Sequence, residues 1–214
     1  MTDTEYNELI SKQIDIMRLR SALRIAHMMD EYSGKWSELE EEYSSDRSSF
    51  ENLFSIPPNE LNEKNKMGIS KLKEVEYPLC LCDLGRCYMA QERFYSAESL
   101  FYSASQAGVD GADVLLFSLY FENFKVAGER KLESVFHRVS SIDLWSDSVE
   151  NAVFNDIFLG NAIVEFGTLC SVTGYDRKKG IDTLLIVINS NKFDAHEQVK
   201  RYAREQLMRI QTGK

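Results

Sequence analysis

From end to end, apolar residues in this chain recur at steps of three, four and seven, the spacing of one face of an α-helix, and only three prolines interrupt its 214 residues. Between Glu5 and Met29 there is neither glycine nor proline, and Leu9, Ile16, Leu19, Leu23 and Ala26 form one stripe, which predicts a long first helix. A second helix is expected over Lys35–Phe54, with Trp36, Leu39, Tyr43, Phe50 and Leu53 inward. Pro57-Pro58 must end it, because proline lacks the amide donor and restricts the residue before it. The polar, lysine-rich stretch from Asn59 to Glu76 predicts a loop and then a modest helix, with Leu61, Met67, Ile69, Leu72 and Val75 to bury. An all-α fold is expected, organised as an N-terminal helical pair (1–56), a linker with a short helix (57–77) and a helical body (78–214) forming one continuous globular unit.

Charge narrows the function. The formal net charge is −9, and between Asp30 and Glu63 ten acids face two bases, Lys35 and Arg47. Neutralising phosphates needs a basic surface, so a general nucleic-acid binder is disfavoured. The acidic run, with Glu38, Glu40, Glu41, Glu42 and Asp46 at its centre, reads either as a solvated helix face or as a patch that steers a basic partner. Arg177-Lys178-Lys179 and Lys200, Arg201, Arg204 and Arg209 give the C-terminal region some positive charge, as expected of solvated faces and helix C-termini. The start, Met1-Thr-Asp-Thr-Glu-Tyr6, lacks a basic region followed by an apolar run, and no stretch approaches the roughly 20 apolar residues of a membrane span. A cytoplasmic location with reduced thiols is the expectation.

Three cysteines, Cys80, Cys82 and Cys87, crowd nine residues. On a helix Cys80 and Cys87 share a face while Cys82 points elsewhere, so the thiols do not converge on a tetrahedral metal. They and Cys170 are read as small buried packing residues. His27, His137 and His196 lie far apart, with no H-E-x-x-H pattern. No nucleophile elbow, dinucleotide fingerprint or phosphate loop occurs, so neither a catalytic residue, a cofactor nor a metal is assigned.

From Pro78 the small residues become regular. Leu81, Leu84-Gly85 and Tyr88 fall on one helix, and Ala97, Phe101 and Ala104 on the next, which Gly108 stops. Gly85 and the alanines let the two helices approach, while Leu84, Tyr88 and Phe101 fill the space between them. In this spacing the chain resembles tetratricopeptide and Sel1-like repeats; the Ala107-Gly108 ending and Ala112 are more similar to Sel1. The resemblance is clear for 78–120, weak for 160–189 and absent before 77. Ala112, Leu116 and Tyr120 resemble the next first helix, with Phe117 where the family has glycine, and Glu129–Val139 the helix that answers it. Ser146 is a candidate N-cap for a longer helix through Val149, Val153, Ile157, Ala162 and Phe166. Gly180 replaces the usual alanine of a helix carrying Ile181, Leu184, Leu185 and Ile188. His196–Ile210 reads as a cap, with Val199, Tyr202, Ala203, Leu207 and Ile210 inward and charges outward.

The resemblance implies a compact α-solenoid whose first helices line a groove, carrying here Cys82, Arg86, Met89, Phe121, Glu122, Thr168 and Ser171. A non-enzymatic protein-binding module or adaptor is the first expectation, and a toxin-neutralising immunity protein or a chaperone its specific form, with a basic protein as the matching partner. An enzyme or nucleic-acid-processing component with an unrecognised site, and a self-associating structural protein, stand as alternatives.

Overall fold

The computed structural model of the chain describes residues 36–153 and 156–213, with Thr2, Thr4 and Glu8. The first expected helix and His27 lie outside the described residues, as do Asp30, Glu31 and Lys35 of the acidic run. Every regular element among the described residues is helical. The chain divides into two compact units, Met1–Val109 and Asp110–Lys214.

In unit 1, α1 (Trp36–Phe54) matches the second helix expected from the sequence and buries Leu39, Tyr43 and Phe50. After it comes a single 3-10 turn, Pro58–Glu60, and α2 (Glu63–Lys71), whose first turn is capped by Asn62 accepting from the Asn65 amide at 2.9 Å. The chain does not pause before Pro78. It continues through a π-type stretch, Leu72–Glu76, into α3 (Tyr77–Ala90), so Pro78 is the second residue of a helix that the backbone enters already coiled. The wider turn is a physical accommodation: a proline ring collides with the carbonyl four residues back, and i→i+5 bonding opens that space. Next, α4 (Phe94–Gln106) packs on α3, as α1 does. A Cβ on Gly85 would lie 2.5 Å from the ring of the fully buried Phe101, so the glycine is what admits that ring. Phe50, Phe54 and Tyr77 close one end with centroids 5.4–6.0 Å apart, and the Tyr77 hydroxyl donates to Glu51 at 3.1 Å.

Unit 2 is built around α5 (Asp110–Glu122), in which every residue from Gly111 to Tyr120 is buried. A helix apolar all round sits inside a core rather than beside an open groove. It packs on α6 (Phe124–Val139), which breaks at Gly128 (φ 61°, ψ 162°), so the continuous helix is Glu129–Val139, as the sequence predicts. The long helix expected after Ser146 is described in two stretches, α7 (Asp147–Val153) and α8 (Asp156–Val172), on either side of residues 154 and 155, which lie outside the described residues. The Ser146 hydroxyl does accept from the Val149 amide, at 3.4 Å. Then come α9 (Arg177–Asn189), capped by Asp176 through the Lys179 amide at 2.9 Å, the 3-10 turn Asn191–Phe193 and α10 (Glu197–Thr212). Here α8, α9 and α10 pack pairwise. A Cβ on Gly180 would stand 2.4 Å from the Gly167 carbonyl oxygen, so this pair meets backbone to backbone. Phe117, Phe136 and Phe166 join α5, α6 and α8, with centroids 5.3–6.3 Å apart.

Candidate functional site

The seven residues expected to line one groove fall into different surroundings. Cys82 is fully enclosed on α3 and Arg86 is 8% exposed, so neither offers a partner much surface, while Met89 is half-buried. Burial lowers the Arg86 pKa, and the charge of Asp83 one turn before it opposes the shift. Phe121 is half-buried at the end of α5, 5.9 Å from Phe117, and beside it the carboxyl of Glu122 reaches solvent, although nearby protein raises its pKa. Thr168 and Ser171 share the last turns of α8, donating to the carbonyls of Val164 and Gly167 at 2.7 and 3.0 Å.

Of the acidic patch, Glu38, Glu41 and Glu42 are exposed and Asp46 is half-buried. Glu40 is engaged within the molecule: it accepts from Arg93 at 2.6 Å and from Gln91 at 2.8 Å, tying α1 to the α3–α4 turn. That one residue of the patch fastens helices. The cysteines are all free and buried, as packing residues should be. Burial, joined by the charge of Asp83, pushes the Cys87 thiol to about 12, and burial pushes Cys170 to about 11. No group of three or more His, Cys, Asp or Glu side chains converges on a metal position among the described residues, and no helix among them is long and apolar enough to cross a membrane.

What sequence reasoning passed over is a cleft of about 560 Å3 in unit 2. One wall is α6, where Glu129, Glu133 and His137 recur at four-residue steps beside Leu132 and Phe136. The other is the end of α8, with Leu169 and Thr173, and the turn beyond it. Gly174, at φ 70°, takes the left-handed conformation that ends a helix at small cost only for glycine, and the next residue is Tyr175. Its ring stands 5.2 Å from Phe136 at 80° and 5.5 Å from His137 at 67°, so three rings meet edge to face. Tyr175 stays 51% exposed. The i, i+4, i+8 run of Glu129, Glu133 and His137 was present in the sequence, but nothing local ties it to Tyr175.

Such a cleft has apolar walls, ring surfaces and carboxylates at its edge. A long cationic side chain satisfies all three: its methylene stem packs on Leu132, Leu169 and Phe136, and its head meets Glu129, Glu133 or a ring face. Comparison of the sequence with protein-family models, with curated proteins and with solved structures finds no match in any of the three.

Proposed function

We propose that this chain is a non-enzymatic protein-binding module of helical-repeat type, related in plan to tetratricopeptide and Sel1-like proteins, whose partner is a basic protein. The observation that carries the proposal is the acidic, ring-lined cleft between α6 and the end of α8, with Glu129 and Glu133 beside Phe136 and Tyr175. Exposed Glu38, Glu41 and Glu42 supply long-range attraction for the same partner, raising the on-rate more than the affinity. The net charge of −9 agrees in sign. An acidic cytosolic module of this size would neutralise or chaperone one basic protein, as immunity proteins and secretion chaperones do.

The test uses the intact protein. N-acetyl-arginine amide and N-acetyl-lysine amide, titrated by NMR, should shift the resonances of Tyr175 and His137, whereas the neutral N-acetyl-norleucine amide should shift them less. The paired reversal Glu129→Lys/Glu133→Lys should abolish the response and release any stoichiometric, salt-sensitive partner recovered by pull-down. Equal responses to charged and neutral probes, or a partner retained by the reversed variant, would sink the reading.

A second reading, an enzyme with an unrecognised site, has one observation in its favour. Glu122, Glu165 and Tyr202 feel one another electrostatically, and the Ser118 hydroxyl donates to Glu165 at 3.1 Å. Against it, Glu165 is only 3% exposed, which suits a buried neutral acid better than a group that meets substrate. Turnover of any metabolite abolished by Glu165→Gln would favour this reading over the first.

A further inference from the structure

The expected pattern of α10, apolar inward and charged outward, fails at two residues, Lys200, whose ammonium is paired with Asp194, and Gln206. Its inward stripe runs Val199, Ala203, Gln206, Ile210, and Gln206 is only 8% exposed. The Gln206 amide makes no hydrogen bond among the described residues and is not one of the fully enclosed polar groups left without a partner, so its polar end opens into a cavity. The side chain lines a pocket of about 400 Å3 formed by the last turns of α8 and α10 and the first residue of α9. Two guanidiniums line the same pocket. Arg209 has no carboxylate partner among the described residues, and Arg177 makes one long hydrogen bond, from Nη2 to the Ile210 carbonyl at 3.3 Å. Arg177 also opens its own helix, where the dipole disfavours a cation. The pocket thus gathers amide and guanidinium donors that the protein itself leaves largely unused.

The opposing charges can be weighed. The ends of α8 and α10 each contribute roughly half a negative elementary charge, which two full guanidinium charges exceed. A cation near a helix C-terminus is explained by the dipole alone, and Arg209 by itself would need nothing more. Gln206 is not explained that way, since a neutral amide gains little from a dipole. Thr168 and Ser171 add oxygen acceptors, their protons being already committed to backbone carbonyls. We infer that this pocket binds a small organic oxyanion carrying a hydroxyl group, its phosphate or carboxylate held between Arg177 and Arg209, with the amide of Gln206 donating to it. A hydroxyl on the ligand donates to Thr168 or Ser171, and about 400 Å3 leaves room for more than a bare phosphate ion. Guanidinium pairs suit such oxygens because their donors match the anion two at a time. The pocket shares no residue with the cleft between α6 and α8, so this inference stands apart from the proposed partner.

The experiment titrates the full chain with glycerol phosphate, inorganic phosphate and malonate at constant ionic strength, following heat and amide chemical shifts. Saturable one-to-one binding is expected, with glycerol phosphate tighter than inorganic phosphate; tighter malonate would identify the oxyanion as a carboxylate. Arg177→Gln and Arg209→Gln should each weaken binding about tenfold or more, the worth of a lost charge-assisted hydrogen bond, while Lys178→Gln should not. Gln206→Leu separates site from scaffold: it removes the amide donor while keeping an inward side chain of similar length, so it should weaken binding and leave the melting temperature of the ligand-free chain nearly unchanged. No saturable binding of any probe, or binding indifferent to both arginine changes, would overturn the inference. Binding unchanged by Gln206→Leu would do so as well.

Discussion

In unit 1 the guanidinium of Arg86 is enclosed on α3, where the carboxylate of Asp83, itself 3% exposed, offsets part of its burial. In unit 2 the carboxyl of Glu165 is enclosed on α8 with no cation beside it among the described residues, and Glu122 adds a like charge. These two buried groups, Arg86 and Glu165, are therefore accommodated in opposite ways. Arginine cannot shed its proton, so unit 1 must keep an acid within reach. Glutamic acid can take one up, and Glu165 does, its pKa pushed to about 8 first by burial and then by Glu122. The close helix crossings differ in the same spirit. Gly85 makes room for a ring in unit 1, whereas Gly180 lets one backbone touch another in unit 2. A side chain can rotate away from an intruding methyl, and a backbone carbonyl inside a helix cannot.

The comparison breaks most visibly in unit 1. Asp83→Ala should destabilise the protein by about 3–5 kcal/mol, read by thermal or urea unfolding, because it removes the nearby acid charge that offsets the burial of the Arg86 guanidinium. The double change Asp83→Leu/Arg86→Met should recover most of that loss; a double variant no more stable than the single one would mean the two charges do not compensate each other. Gly180→Ala comes next, at about 1–3 kcal/mol, and should exceed Gly85→Ala, since only the first collides with backbone. The reverse order, measured in the same urea series, would show that the Phe101 ring is the more rigid neighbour.

Glu165→Gln sharpens the contrast through pH. The unfolded chain ionises this carboxyl above its ordinary value of 4.5, while the folded chain holds the proton until about 8. The folded state binds more protons between those limits, so its stability falls as pH rises through that window and levels off above it. Glu165→Gln should leave stability unchanged below pH 4.5 and raise it above pH 8 by up to about 5 kcal/mol. A constant difference at every pH would mean the carboxyl is not held protonated. Smallest of all, Glu41→Ser/Glu42→Ser should alter stability by no more than about 0.5 kcal/mol, both residues being exposed, so a slower association with a basic partner would reflect lost attraction rather than misfolding.

The helices were legible because their signals are local. The stripe of Leu39, Tyr43 and Phe50, the break at Pro57-Pro58 and the restart after Gly128 are each written within a few turns of chain, and the helix bounds follow them. The Leu84-Gly85-Tyr88 and Ala97-Phe101-Ala104 spacing also foretold which helices touch, and why. The π-type stretch before Pro78 was missed, although the proline that requires it was in view. The candidate sites were far less legible. Thr168 and Ser171 were picked for a groove shared with Cys82 and Arg86, yet they line a pocket with Gln206, Arg177 and Arg209, while the α3 residues are enclosed.

By itself, then, the sequence determined the period, the breaks and the small residues that set how close neighbouring helices come. These depend on a residue and its neighbours three or four positions away. Only the tertiary structure decided that Tyr175 meets Phe136 and His137, that Gln206 faces two arginines, and that Glu165 keeps its proton. Those outcomes depend on distance and burial between segments up to some 40 residues apart, and a helix face carries no record of what will be packed against it.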